Sequence, residues 1–183
     1  MKEVSEYPHN IPDDVEYFEN DSDLEALLNK ISPYIGWIII ELNSLEGMME
    51  YIIKEIVSTS EARDNFIYIF LSKMDFSSKM HSLTSMYGYI IESCNLADLR
   101  EELKFLKTKL FDACERRNTY AHADWSGIST KNLVATKYSA NRRGVKILYK
   151  TFEIKDMEAD IEFIREVKNE LDLFDEKIND AIF

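Results

Sequence analysis

Helix breakers are scarce. The 183 residues contain three prolines and five glycines, and a chain so poor in both favours helices over turn-rich architectures. Cysteine is equally sparse. Cys94 and Cys114 lack CxxC spacing, so neither a metal site nor a disulfide framework is expected, and both read as reduced, partly buried side chains. Long apolar runs are missing too. The longest lies around Ile38–Ile40, far short of a membrane span, and the acidic opening MKEVSEYPHNIPDDVEYFEND has no apolar signal-peptide core. These absences point to a soluble, cytoplasmic protein. The chain carries no Gly-rich phosphate loop, no Rossmann pattern, no HExxH and no GxSxG, so no cofactor and no metal is expected.

What is present is a helical pattern. Hydrophobic residues make up 45% of the chain, enough for a core without staples. Residues 1–22 are acidic, contain Pro8 and Pro12, and read as a flexible arm; 23–183 read as one domain. Ser32–Pro33 reads as the cap and first turn of a helix to about Ser58, with a shorter helix before it at 23–30. Ile35, Ile38, Ile39, Leu42, Leu45, Met49, Ile52, Ile53 and Ile56 supply its stripe. A second helix is predicted over Glu61–Lys73 and a third over Ser78–Glu92, the latter capped by Asp75 or a nearby serine. Asn95, with Asp98 three residues on, predicts the cap of a fourth helix lasting to about Tyr120. The pattern then alternates, with a turn signal at Asn141–Gly144. It predicts a β-hairpin at about 130–153, with strands near Leu133–Ser139 and Val145–Phe152. Asp156 predicts the cap of a last helix, whose buried side carries Ile161, Ile164, Leu171, Phe174, Ile178 and Ile182. The expected fold is predominantly all-α: an up-and-down bundle of four to five long helices, with the hairpin inserted before the last.

Charge is uneven. The formal net charge is −12, which as a whole disfavours a polyanionic partner. Residues 116–155 nevertheless hold nine Lys and Arg against Asp124 and Glu153, a local +7 that leaves −19 on the rest. Such an island can be an anion site or a solvated hairpin kept soluble by its lysines.

The chain has three histidines. His9 falls in the acidic arm and His81 inside a helix, and neither has a functional context. His122 differs. It stands in ERRNTYAHADW, residues 115–125, five positions after Arg117. On an ideal helix five residues turn 500°, which leaves the two side chains about 140° apart around the axis. They converge only if the helix ends near Ala121. An Arg–His pair suits RNA cleavage, because RNA carries its own nucleophile in the 2′-OH. Histidine can take or give the proton near neutral pH, and arginine offers a rigid fork to the phosphoryl oxygens. Asn118 can orient the imidazole or touch phosphate. The bland alternative is that Arg117 pairs with Glu115 or Asp112 and His122 closes the helix on a carbonyl.

RRNTYAHADW resembles the signature of the HEPN superfamily, small helical bundles associated with prokaryotic defence and RNA cleavage, in which four to six residues separate an Arg, often with a polar residue directly after it, from a His. Here those residues are Arg117, Asn118 and His122. IGWIIIELNSLEGMMEYIIKEIV resembles the first long helix of that family, with its Leu-Glu pair at Leu45 and Glu46, and FSSKMHSLTSMY resembles the start of a following helix. The resemblance implies a side-by-side homodimer whose paired motifs cut RNA, with Arg117, His122 and Asn118 catalytic. RNA contacts would fall to Arg116, Tyr120, Lys137, Arg142, Arg143 and Lys146. The position two after His122 is Asp124, where the toxin branch that pairs with a nucleotidyltransferase antitoxin carries a tyrosine. Some members of the superfamily only bind partners, so a non-catalytic RNA- or protein-binding module, regulator or antitoxin-like partner is the alternative. A DNA-binding regulator has less support, since no helix-turn-helix with a basic recognition helix is visible.

Overall fold

The computed structural model describes residues 3–6, 15–17, 21–58, 61–129, 133–141 and 144–182. Among the described residues there are five α-helices: α1 (Asp21–Val57), α2 (Glu61–Leu71), α3 (Phe76–Ser93), α4 (Arg100–Ala121) and α5 (Ile154–Ile182). The described residues also form five strands: β1 (Glu3–Glu6), β2 (Val15–Tyr17), β3 (Asp124–Ser129), β4 (Leu133–Asn141) and β5 (Gly144–Phe152). The chain divides into two compact units, Met1–Ile39 with Arg116–Ile161 and Ile40–Glu115 with Glu162–Phe183. Among the described residues no helix is long and apolar enough to cross a membrane.

The first unit holds a five-stranded antiparallel sheet in the order β1-β5-β4-β3-β2. This overturns the expectation of an all-α bundle with a two-stranded insertion. β4 and β5 occupy the segment read as a hairpin, with register from Leu133↔Phe152 to Asn141↔Gly144. They are inner strands rather than an appendage. β3 pairs with β4 through a register shift between Asp124 and Gly127, and β1 and β2 close the two edges against β5 and β3. Two stretches of the segment read as a flexible arm are therefore edge strands. The physical reason is that edge pairing is made by backbone groups. Strands of four and three residues, such as β1 and β2, carry too few side chains to show a period. Two strands alone would not hold as a sheet; five do. Buried residues of this unit include Ile31, Ile38, Tyr120, Phe152, Met157 and Ile161.

Helix boundaries depart from expectation at three places. α1 starts at Asp21 and carries Pro33 inside it rather than at its first turn. Leu24, Leu27, Ile31, Tyr34, Ile38, Leu42, Leu45, Met49 and Ile52 keep three-and-four spacing through the proline, so one continuous apolar face offsets the missing backbone donor. Asn95 ends α3 instead of starting α4. Its φ is 63°, the Leu96 amide donates to the Ile91 carbonyl at 2.9 Å, and the Asn95 amide donates to Glu92 at 3.4 Å. That is a Schellman closure with asparagine in the left-handed position. A 3-10 turn, Ala97–Leu99, then leads into α4. Asp156 lies in the first turn of α5 and accepts from the Glu153 amide at 2.8 Å, the reciprocal half of a capping box. Asp75 caps α3 as read, accepting from the Ser78 amide at 2.7 Å.

The second unit buries Leu42, Leu45, Met49, Met80, Leu83, Tyr87, Leu110, Leu171 and Phe174. The Tyr87 and Phe174 rings meet edge to face, with centroids 5.1 Å apart. Two ion clusters lie against this core. Lys79 donates to Glu46 and Glu50, each at 2.5 Å, and Glu41 accepts from Arg165 at 2.7 Å and from Lys168 at 2.9 Å. Cys94 is exposed and Cys114 buried, and neither is in a disulfide.

Candidate functional site

The motif occupies the last turns of α4 and the first residue after it. α4 stops at Ala121, and His122 is the residue that leaves the helix. Helical periodicity therefore does not fix its direction, and the 140° offset from Arg117 no longer applies. His122 is exposed, while Arg117 and Asn118 are half-buried. Among the described residues, the side chains of Arg117 and His122 form no hydrogen bond or ion pair.

The helix end is held by different residues. Arg116 and Tyr120 are one turn apart and share a face of α4. Both reach Asp160 of α5. Arg116 forms an ion pair with one carboxylate oxygen, and the Tyr120 hydroxyl donates to the other at 2.6 Å. Tyr120 is 2% exposed. Its ring stacks on Trp125 of β3 at 5.9 Å and packs on Phe152 of β5 at 5.2 Å, while Trp125 and Phe152 meet at 5.5 Å. Burial pushes the Tyr120 hydroxyl well above its ordinary pKa; the Arg116 charge opposes that shift and Asp156 adds to it. The cluster clamps the last turn of α4 to the start of α5 and to the sheet.

The residues read as RNA contacts therefore separate. Arg116 is engaged with Asp160, and the Tyr120 ring is committed to the protein's own aromatic stack, so in this arrangement it is not available to a base. Lys137 lies on β4 opposite Leu148 of β5, and Lys146 on β5 opposite Ser139 of β4. Arg142 and Arg143 fall outside the described residues, as does His9. Asp160, the hub of the cluster, was not legible in the sequence. It sits on α5 between the buried Met157 and Ile161, and no local pattern links it to a helix end 40 residues earlier.

No family model matches this chain, and no curated protein or solved structure matches it either. The likeness to the HEPN signature is carried by the quoted residues alone.

Proposed function

We propose that the protein is a metal-independent endoribonuclease that acts as a homodimer. The observation that carries this reading is the end of α4 at Ala121, which frees an exposed His122 beside a half-buried Arg117 that has no ion-pair partner among the described residues. Two copies of the motif facing each other across a two-fold axis would gather the four side chains into one cleft. His122 of one copy takes the proton of the 2′-OH. That oxygen attacks the adjacent phosphorus, and the bond to the 5′ oxygen breaks as a proton is delivered to it. The products are a 2′,3′-cyclic phosphate and a free 5′-OH. Arg117 stabilises the crowded phosphoryl oxygens, where a guanidinium fork gains most as charge accumulates. Asn118 orients the imidazole or the phosphate.

The test is cleavage of a mixed RNA pool in EDTA by wild type, Arg117→Ala and His122→Ala. Each substitution is expected to lower the rate at least ~100-fold, His122→Ala through loss of a general acid–base group and Arg117→Ala through loss of charge stabilisation at the phosphoryl oxygens. Activity that survives both substitutions, or that strictly requires added Mg²⁺, rejects the reading.

A second reading, a non-catalytic module that binds RNA or a protein partner, draws support from α2. Phe66, Ile69 and Phe70 there are 67%, 61% and 74% exposed, a concentration of apolar surface that cleavage does not need. Tight RNA binding with intact RNA after long incubation would select it.

A further inference from the structure

The second unit contains a cavity of about 620 Å³, remote in sequence from the α4 motif. Its lining includes Tyr51 and Glu55 of α1, Tyr89 of α3, and Asp175, Ile178 and Ile182 of α5. The volume falls within the range of small-molecule sites, roughly 300–1,000 Å³. Half of its lining residues are isoleucines, and two tyrosines in the lining are 55% and 75% exposed.

Two carboxylates face this apolar space, and they differ. Glu55 is already neutralised, since Lys54 lies 2.7 Å from it and also 4.9 Å over the Tyr51 ring. Asp175 has no cation among the described residues. It is held by two neutral donors, the hydroxyl of fully buried Tyr87 at 2.7 Å and the side-chain amide of Asn179 at 3.1 Å. Those bonds fix the carboxylate and leave its charge uncompensated. A role as the hydrogen-bond acceptor for Tyr87 accounts for one oxygen of Asp175. It does not account for the cavity or for the aromatic rings beside it.

We infer that this cavity binds a small hydrophobic amine. A single fixed carboxylate fits one ammonium group, the isoleucine walls fit an apolar body, and tyrosine faces attract a cation placed over them. Lys54 over Tyr51 is the protein's own instance of that last contact. The neutral lining polar groups leave one negative charge to be matched, which selects a monocation over a polyamine.

Phenethylamine is the probe, with phenethyl alcohol as its uncharged isostere, titrated calorimetrically into the full chain at neutral pH. Wild type is expected to bind the amine at least ~10-fold tighter than the alcohol, the gain from one charge-assisted contact. Asp175→Asn keeps an acceptor for Tyr87 and removes the charge, so the amine should fall to the affinity of the alcohol. Tyr89→Ala, at an exposed position that folding does not depend on, should weaken both ligands several-fold; it keeps the test decisive if Asp175→Asn is unstable. Equal affinity for amine and alcohol, amine binding unchanged in either variant, or no binding of the amine would each overturn the assignment.

Discussion

Replacing Tyr120 by phenylalanine isolates the hydroxyl that fixes the end of α4. The ring stays in its stack with Trp125 and Phe152, so the change removes one hydrogen bond, the 2.6 Å contact to Asp160. Bonds to a charged acceptor contribute roughly 1.5–3 kcal/mol. Asp160 keeps Arg116 as a partner and its side chain is 13% exposed, so water replaces the lost donor only in part, and a cost of about 2 kcal/mol follows. With a urea slope of about 2 kcal/mol/M, the midpoint should fall by about 1 M. Urea unfolding followed by far-UV circular dichroism and by tryptophan fluorescence measures this, the latter sensing Trp125 directly. The wild-type hydroxyl has its pKa raised by burial, so the folded state keeps a proton that the unfolded state releases above about pH 10. Its stabilising contribution is complete below that pH and declines as pH rises through the folded value. Tyr120→Phe should therefore lose part of the alkaline sensitivity as well as the midpoint. The proposed RNA cleavage should persist, because the hydroxyl is buried and takes no part in that chemistry. A midpoint within 0.2 M of wild type (about 0.4 kcal/mol at that slope) would show that the Asp160 bond does not hold the helix end.

Lys79→Met should cost about 2 kcal/mol in the same urea assay, because it leaves Glu46 and Glu50 facing each other without their cation. The cost sits below that of a fully buried pair because those side chains remain 19% and 27% exposed. Adding Glu46→Gln and Glu50→Gln should recover most of it. Hydrogen bonds to the two glutamates raise the Lys79 pKa although its burial opposes them, so wild-type stability should also fall as pH climbs past 10.5, a trend the triple variant should lack at this cluster. Asp75→Ala removes the side-chain acceptor for the Ser78 amide and should cost about 1 kcal/mol, read as a shift of the thermal midpoint.

The residues that sequence made legible are those with a local signal. The stripe from Leu42 to Ile53 declares α1, since its spacing is set by the helix itself, and Asp75 declares the start of α3 because a cap needs only its own next three residues. The residues that were hidden depend on distant partners. β1 and β2 exist through backbone pairing with β5 and β3, more than 100 residues away, and their few side chains announce nothing. Asn95 fits both a cap before α4 and a left-handed closure after α3; only the backbone decides between them, and φ of 63° chooses the second. Pro33 reads as a helix start in isolation, and a continuous apolar face overrides it. At the candidate site, Arg117, Asn118 and His122 could be named from their spacing. Asp160 could not, because its two partners lie on another helix.

That division explains why two adjacent arginines have different surroundings. Successive helical residues point 100° apart. Arg116 faces Asp160 and is part of the clamp, whereas Arg117 is turned away from that carboxylate and has no ionic partner among the described residues. Tyr120, one turn beyond Arg116, falls on the clamped face. The helix stops at Ala121, one residue past this face, and His122 follows. The arrangement therefore separates support from the proposed chemistry within a seven-residue segment. Arg116 and Tyr120 hold the helix end in place, while the Arg117 and His122 side chains form no hydrogen bond or ion pair among the described residues, as the proposed cleavage requires. An isolated Arg–His spacing has no such support. The clamp gives this copy of the motif a defined geometry, and it predicts that Arg116→Ala acts mainly on stability and Arg117→Ala mainly on cleavage.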